Sequence, residues 1–454
     1  MCIFVLLKLQ MALSIWDVIL TPFYVMILMI LANQVRLRNE RSKPEYKYFT
    51  WGLLAKVVGG ISVCLIYSFY YDGGDTVNYF TSTQAFSNLL EKDPTTFFHV
   101  LFEKQSPENY SFFDSSTGYP LYWWDPRSTM VSKLIIPVYY LGGKSYIPTT
   151  MLLAAISYTG IWRMYLLFCD VFPKIKPQLA ISVLFVPSVV FWGSGLLKDT
   201  ITIGAVGWYT YCFYYFFVKG RVRIGSIIAM VISSYLLIAI KPYIFFALMP
   251  GSIIWLSNER IARIRNSFLR VVAAPVLIIC GFAGGFYILA QMGEYLGVYA
   301  LDRVMQRAVD VQSDLKQDYY GGNTFDIGPF DSSLPSMLSV SHKAIVAALF
   351  RPFIWEVKNI VMLFSALENI LVLGFSLFLL LRMKIIGFFF FIWKDPLLLF
   401  AILFSLFFAF SVGISTPNFG SLVRLKIPCI PFYISSLMVL NYYYRDRKIS
   451  LEKK

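Results

Sequence analysis

Charge is what this sequence has least of. Only 15% of its 454 residues are Asp, Glu, Lys or Arg, against roughly a quarter in an ordinary soluble domain. So little charge cannot cover a folded surface in water, which excludes a soluble enzyme and a disordered chain. Histidine is nearly missing: His99 and His342 stand alone, with no partner at catalytic or metal-ligand spacing, so a histidine-built metal site is excluded. The six cysteines (2, 64, 169, 212, 280 and 429) lie scattered in apolar runs without a Cys-x-x-Cys pair, which excludes a secreted disulfide scaffold. P-loop, dinucleotide fingerprint, His-Glu-x-x-His and Gly-x-Ser-x-Gly motifs are all lacking.

What is there is apolar: 57% hydrophobic and 18% aromatic, with a mean hydropathy of +0.63. Lipid must therefore do the covering. A bilayer-crossing helix needs about 20 largely apolar residues. The runs that qualify are 11–33, 51–71, 146–169, 179–197, 200–218, 224–240, 242–257, 270–290, 359–381, 396–414 and 427–444. The segment 131–142 is too short to cross and is expected to lie in the interface or re-enter. The run 13–33 is long for a signal peptide and lacks a small-residue cleavage site, so it is read as a span.

Lys and Arg are retained on the cytoplasmic side of a membrane, so short loops report orientation. The connections 34–50, 170–178, 219–223, 259–270 and 382–395, with the tail 445–454, hold 22 basic residues against 7 acidic ones. Residues 71–130 hold 8 acids against 3 bases, and residues 291–343 hold 7 against 4. Eleven crossings with a cytoplasmic C-terminus put every basic loop on one side and both acidic loops on the other. The net charge of +14 is thus topology, and nucleic-acid binding is set aside. The expected fold is all-α: one polytopic integral membrane domain over 1–454, with about 11 transmembrane helices in a range of roughly 10 to 13. Two large extracytoplasmic loops, 71–145 and 291–356, complete it. Within the first, 84–102 carries apolar residues at helical spacing, either as a surface amphipathic helix or as a helix packed on the loop's own core.

Ionisable residues in or beside membrane spans are costly and so mark candidate function. In YYDGGDTVNYF, 70–80, Asp72 and Asp75 flank two glycines; they could deprotonate a hydroxyl or share a divalent cation with a phosphate, or simply cap a helix. In PSVVFWGSGLLKDT, 187–200, Lys198 and Asp199 interrupt apolar sequence, either to meet a phosphate or as a polar turn with a snorkelling lysine. In IAIKPYIFF, 238–246, Lys241 precedes the helix-breaking Pro242, which makes either a pocket or a plain kink. In STPNFGSLVRLKIPCIPF, 415–432, Arg424 and Lys426 defy the positive-inside trend, so they either hold an anion or pair with the acidic loops. Trp123 and Trp124, beside Asp125 and Arg127, could stack on a sugar ring or anchor at the interface. Arg351, Glu356 and Lys358 flank the ninth span, and Glu368-Asn369 lie inside it, facing protein.

The early acidic motif DGGDTVNYF, the long amphipathic first loop and the outward bases together resemble the GT-C superfamily of polytopic glycosyltransferases, including its family-39-like members. That resemblance implies a GT-C-like fold and a polyprenyl-phosphate-linked sugar as donor. It implies an extracytoplasmic acceptor: a cell-envelope glycan, a lipid or a protein. Gly74-Asp75 followed by Tyr79 matches the family's acidic motif, so Asp75 is expected to be the catalytic base and Asp72 to orient the acceptor. Lys198, Asp199, Lys241, Arg424 and Lys426 would bind the donor phosphate, and Trp123, Trp124, Asp125 and Arg127 the acceptor sugar. No cofactor is certain; a divalent cation, Mg or Mn, would sit on Asp72 and Asp75. Two spans precede the acidic loop where the family usually has one. NFGSLVRLKIP also resembles membrane polymerases and ligases of O-antigen and exopolysaccharide assembly. A transporter or flippase of lipid-linked sugars is the competing class, and a non-catalytic assembly subunit the third.

Overall fold

The computed structural model describes residues 13–262, 303–315, 317 and 323–452. Among these the chain is all-α: no strand forms, and Thr324 with Asn418 makes an isolated antiparallel bridge. The expected span at 270–290 and the start of the second acidic loop lie outside the described residues.

The helices are α1 (Ile15–Asn39), α2 (Phe49–Phe69), α3 (Asp75–Lys92), α4 (Pro94–Phe102), α5 (Pro107–Tyr110), α6 (Pro126–Leu141), α7 (Tyr146–Val171), α8 (Lys176–Leu184), α9 (Pro187–Trp192) and α10 (Lys198–Phe213). They continue with α11 (Ile224–Ile240), α12 (Pro242–Ala262), α13 (Val304–Leu315), α14 (Leu334–Ser339), α15 (Ser341–Phe350), α16 (Ile360–Lys394), α17 (Pro396–Ser415), α18 (Phe419–Leu425) and α19 (Ile430–Glu452). Among the described residues, six stretches are long and apolar enough to cross a membrane: Ile15–Asn39, Pro44–Phe69, Tyr146–Val171, Lys198–Val218, Ile360–Lys394 and Pro396–Ser415. A seventh is the pair α18 and α19, bent by 66° at its break. The protein is therefore membrane-embedded. The run 179–197 is divided between α8 and α9, because Pro187 cannot donate to the preceding turn.

Three helix starts are written in the sequence as Asp-Pro. Asp93, Asp125 and Asp395 each accept a hydrogen bond from a first-turn amide of α4, α6 and α17, and the following Pro supplies a fixed φ where no amide is needed.

The chain divides into two compact units, each drawn from several stretches of sequence. The first comprises residues up to Leu166, Val189–Trp208 and Tyr235–Lys241. Here the loop after α2 is no open excursion. Asp93-Pro94 splits the run 84–102 between α3 and α4. Ala85, Phe86, Leu89, Phe97, Val100, Phe113, Trp123 and Ile136 then close a core of the loop's own, while Phe98 and Phe102 of α4 stay exposed. Buried Asp17, at the start of α1, joins it to α7 by accepting from the Ile147 amide (2.7 Å). Small residues let backbones touch: a Cβ on Gly160 would overlap the Gly204 carbonyl, and one on Gly59 would overlap that of Val190.

The second unit comprises Leu167–Ser188, Tyr209–Ser234 and Pro242 onward. Its centre is α17, whose Phe400, Phe404 and Phe408 are all buried and follow one another along the helix. Gly413 of α17 lies directly on the backbone of Ala344 in α15.

Candidate functional site

Three backbone positions in a row carry positive φ at the end of α2: Asp72 (51°), Gly73 (116°) and Gly74 (112°). Glycine takes such angles without a Cβ clash and Asp72 does not, so the turn stores strain of the kind that gathers at functional sites. Its effect is to start α3 at Asp75, whose half-buried carboxylate accepts from the Tyr122 hydroxyl at 2.6 Å. Asn78, one turn on, donates to the same Tyr122 oxygen (3.2 Å). Asp72 is exposed on the turn.

A second carboxylate lies beyond the Tyr79 ring, which packs on Tyr122 (5.0 Å between centroids). Tyr79 shares a hydrogen bond with Ser128 (3.2 Å), and Ser128 donates to Asp125 (2.5 Å). The Lys198 ammonium donates to the same Asp125 oxygen at 3.0 Å. Burial alone pushes the Asp125 carboxyl up. That is the largest single influence, but the Lys198 charge and hydrogen bond, the Ser128 hydroxyl and the Arg127 amide together outweigh it and hold the group below the usual carboxylate range.

Lys198 reaches this place because α9 ends early. Trp192 gives way to a Gly-Ser-Gly turn that α2 accommodates with Gly59 and Gly60. Buried Lys56 of α2 donates to the Gly193 carbonyl, Thr200 returns a bond to the Gly195 carbonyl (2.6 Å), and Ser157 bonds the Thr200 carbonyl (2.6 Å). Asp199, next in sequence, points elsewhere: it pairs with Lys241 at 2.5 Å, and both are almost wholly buried. Arg127 closes the ring, donating to the Ile238 (3.1 Å) and Ala239 (3.5 Å) carbonyls just before Lys241. Asp75, Asp125, Arg127, Lys198, Asp199 and Lys241 thus belong to one polar assembly within the first unit.

The two tryptophans divide. Trp123 is 1% exposed, with Phe86, Phe113 and Tyr110 on its faces and its indole N–H on the Ser106 carbonyl (3.2 Å). It holds the loop core and offers no face to a sugar. Trp124 is 65% exposed and leans on Tyr110.

Arg424 and Lys426 belong to the second unit. Arg424 is half-buried at the end of α18. Lys426 is buried, donating to Asn369 Oδ1 at 2.6 Å with the Leu349 and Arg351 carbonyls at 3.5 Å. Glu368 faces protein too, accepting from both the amide (2.8 Å) and the hydroxyl (2.6 Å) of Ser188 at the start of α9. Arg351 forks onto Glu356 and lies over the rings of Phe325 and Phe419.

Sequence reasoning passed over Tyr122 and Lys56. Tyr122 is one of thirty tyrosines and nothing local sets it apart. Lys56, a lone base in an apolar run, carried the signal that an intramembrane charge always carries. For a cation, the described residues hold no group of three or more His, Cys, Asp or Glu side chains arranged as ligands.

No family model, curated protein or solved structure matches this chain.

Proposed function

We propose that the protein is a membrane glycosyltransferase that moves a sugar from a polyprenyl-phosphate-linked donor to an acceptor on the extracytoplasmic side. The carrying observation is the assembly that links Asp75 through Tyr122, Tyr79 and Ser128 to Asp125 and Lys198. A carboxylate that can take a proton and a lysine that can face a phosphate are what such a transfer requires. The acidic loop that holds both carboxylates is assigned to the outside by the positive-inside rule.

In this reading the donor's lipid lies among the spans and its phosphate stands at the membrane face beside Lys198. Asp75, oriented by the Tyr122 hydroxyl, accepts the proton of an acceptor hydroxyl as its oxygen bonds the anomeric carbon. The bond from that carbon to the phosphate oxygen breaks, and its electron pair leaves on the phosphate. Lys198, which gives Asp125 one of its protons and is 21% exposed at its side chain, stabilises the charge that develops there. Displacement from the opposite face inverts the anomeric centre. Lys241 is spent on Asp199 and holds the turn that presents Lys198.

The test is donor turnover by the purified protein in detergent, using a panel of radiolabelled polyprenyl-phosphate hexoses and pentoses. The wild type should release polyprenyl phosphate. Asp75→Asn should lose about 10²–10⁴-fold, the usual contribution of a general base, while still folding. Undiminished turnover in that variant removes Asp75 as the base. A second reading is favoured by the 66° bend between α18 and α19 and by the buried bases Lys56 and Lys426: broken helices with interior charge also build transporters of lipid-linked sugars. Movement of the donor across vesicles without turnover would select it.

A further inference from the structure

α16 runs for 35 residues, which at about 1.5 Å per residue would carry a straight helix far past a hydrocarbon core about 30 Å thick. The helix is not straight. Lys384 has φ 57° and ψ 157°, a conformation outside any helix, and the axis breaks there. Residues 360–383 suffice for one crossing, and Asp395-Pro396 starts the next helix. What joins them is Ile-Ile-Gly-Phe-Phe-Phe-Phe-Ile-Trp-Lys, where a connection between spans would ordinarily be polar.

This segment has two distinct sides. Ile385 (64% exposed), Ile386 (86%), Phe389 (60%), Phe390 (57%) and Trp393 (78%) recur at the spacing of one helical face. On the other side the Phe391 ring stacks on Tyr443 (5.4 Å between centroids) and Ile392 is buried. The helix is therefore docked on α19 along one side and bare along the other. Arg382 and Lys384 precede it and Lys394 ends it, all exposed, and among the described residues none of the three pairs with a carboxylate. Asp395 is taken by the Leu398 amide (3.0 Å) and the Tyr443 hydroxyl (2.6 Å).

We propose that Ile385–Lys394 is a membrane-surface helix whose bare face enters the acyl region while Arg382, Lys384 and Lys394 hold anionic lipid headgroups. An apolar face bounded at both ends by bases, with a Trp at one end, matches the chemistry of an anionic bilayer surface, with acyl chains below and phosphates level with the helix. A second copy of the chain could cover the aromatic face but would leave the three bases without a role.

The test uses the full chain in nanodiscs of phosphatidylcholine with a minority of phosphatidylglycerol, and a photo-reactive benzoylphenylalanine at Phe390 or, as control, at Phe391. The position-390 probe should yield phospholipid adducts, with phosphatidylglycerol several-fold over its share of the bilayer. The position-391 probe should cross-link within the chain, which also reports that the segment is folded. Arg382→Gln with Lys384→Gln and Lys394→Gln should remove that several-fold enrichment and return the adducts to the bulk lipid ratio. Exchange of the two lysines for Arg should keep the enrichment. Chain-to-chain adducts at position 390, absence of lipid adducts, or adducts at the bulk ratio in the wild type would each overturn the proposal.

Discussion

The Asp199–Lys241 pair permits a worked test of the site's construction. Its side chains are 1% and 6% exposed, so each charge has given up water for the other. Removing one partner strands the other, which costs about 3–5 kcal/mol at a buried pair. Removing both for apolar groups of similar volume costs far less, because neither desolvation penalty remains. Lys241→Met and Asp199→Leu should therefore each lower the melting temperature by roughly 6–20 °C, taking about 2–4 °C per kcal/mol for a unit of this size. The double variant should recover most of that loss. A thiol-reactive fluorophore can follow unfolding, since Cys64, Cys169, Cys212 and Cys429 are all buried. Single variants that melt like the wild type would show that the pair carries no such load. A double variant as unstable as the two losses combined would show that the two charges do not depend on one another. If Lys241 acts only through Asp199, the double variant should also regain turnover along with stability.

The two tryptophans should part company in the same assay. Trp123→Ala empties the centre of the loop core and should cost about 3–5 kcal/mol, whereas Trp124→Ala should leave the melt unchanged; equal effects would contradict the burial difference. Lys133 gives a pH prediction. It donates to the Val100 and Leu101 carbonyls (2.7 and 2.8 Å) at the end of α4, and burial pushes its ammonium down to about 8. A base depressed in the folded state binds fewer protons there than in the unfolded chain, so stability rises with pH between about 8 and its ordinary value near 10.4. Below pH 8 the cost of the buried charge is felt in full. Hydrogen exchange at α4 and α6, corrected for intrinsic rates, should slow across that window, and Lys133→Met should flatten the trend. Protection that falls with pH in the wild type would refute it.

Much of the fold was legible because lipid and water select so strongly. Long apolar runs became α1, α2, α7 and α17 nearly as bounded, the expected span 359–381 ran on as α16 to Lys394, and each Asp-Pro marked a helix start. Other elements were not legible, and the reasons are local. A hydropathy window reads 179–197 as one span because every residue there is apolar enough. It does not register that Pro187 ends α8, or that Gly193 and Gly195 turn the chain back against Gly59 and Gly60. The first loop's core was hidden for a different reason. Phe86, Phe97, Phe113, Trp123 and Ile136 are spread over fifty residues, and no period links positions that meet only through tertiary packing.

The site repeats the same lesson in charge. Lys and Asp inside apolar sequence announce themselves, since burying them is costly, and that is why Asp75, Asp125, Lys198, Asp199 and Lys241 could be singled out from the chain alone. Pairing was another matter. Lys198 and Asp199 are adjacent, but they open a helix, where successive side chains diverge by about 100°. They cannot face one another. Lys198 turns to Asp125 and Asp199 turns to Lys241, so a two-residue signal becomes the hinge between two pairs drawn from opposite ends of the first unit's sequence. Helix geometry therefore gives the neighbours different tasks. Lys198 stays 21% exposed at its side chain, while the Asp199–Lys241 pair beside it is buried.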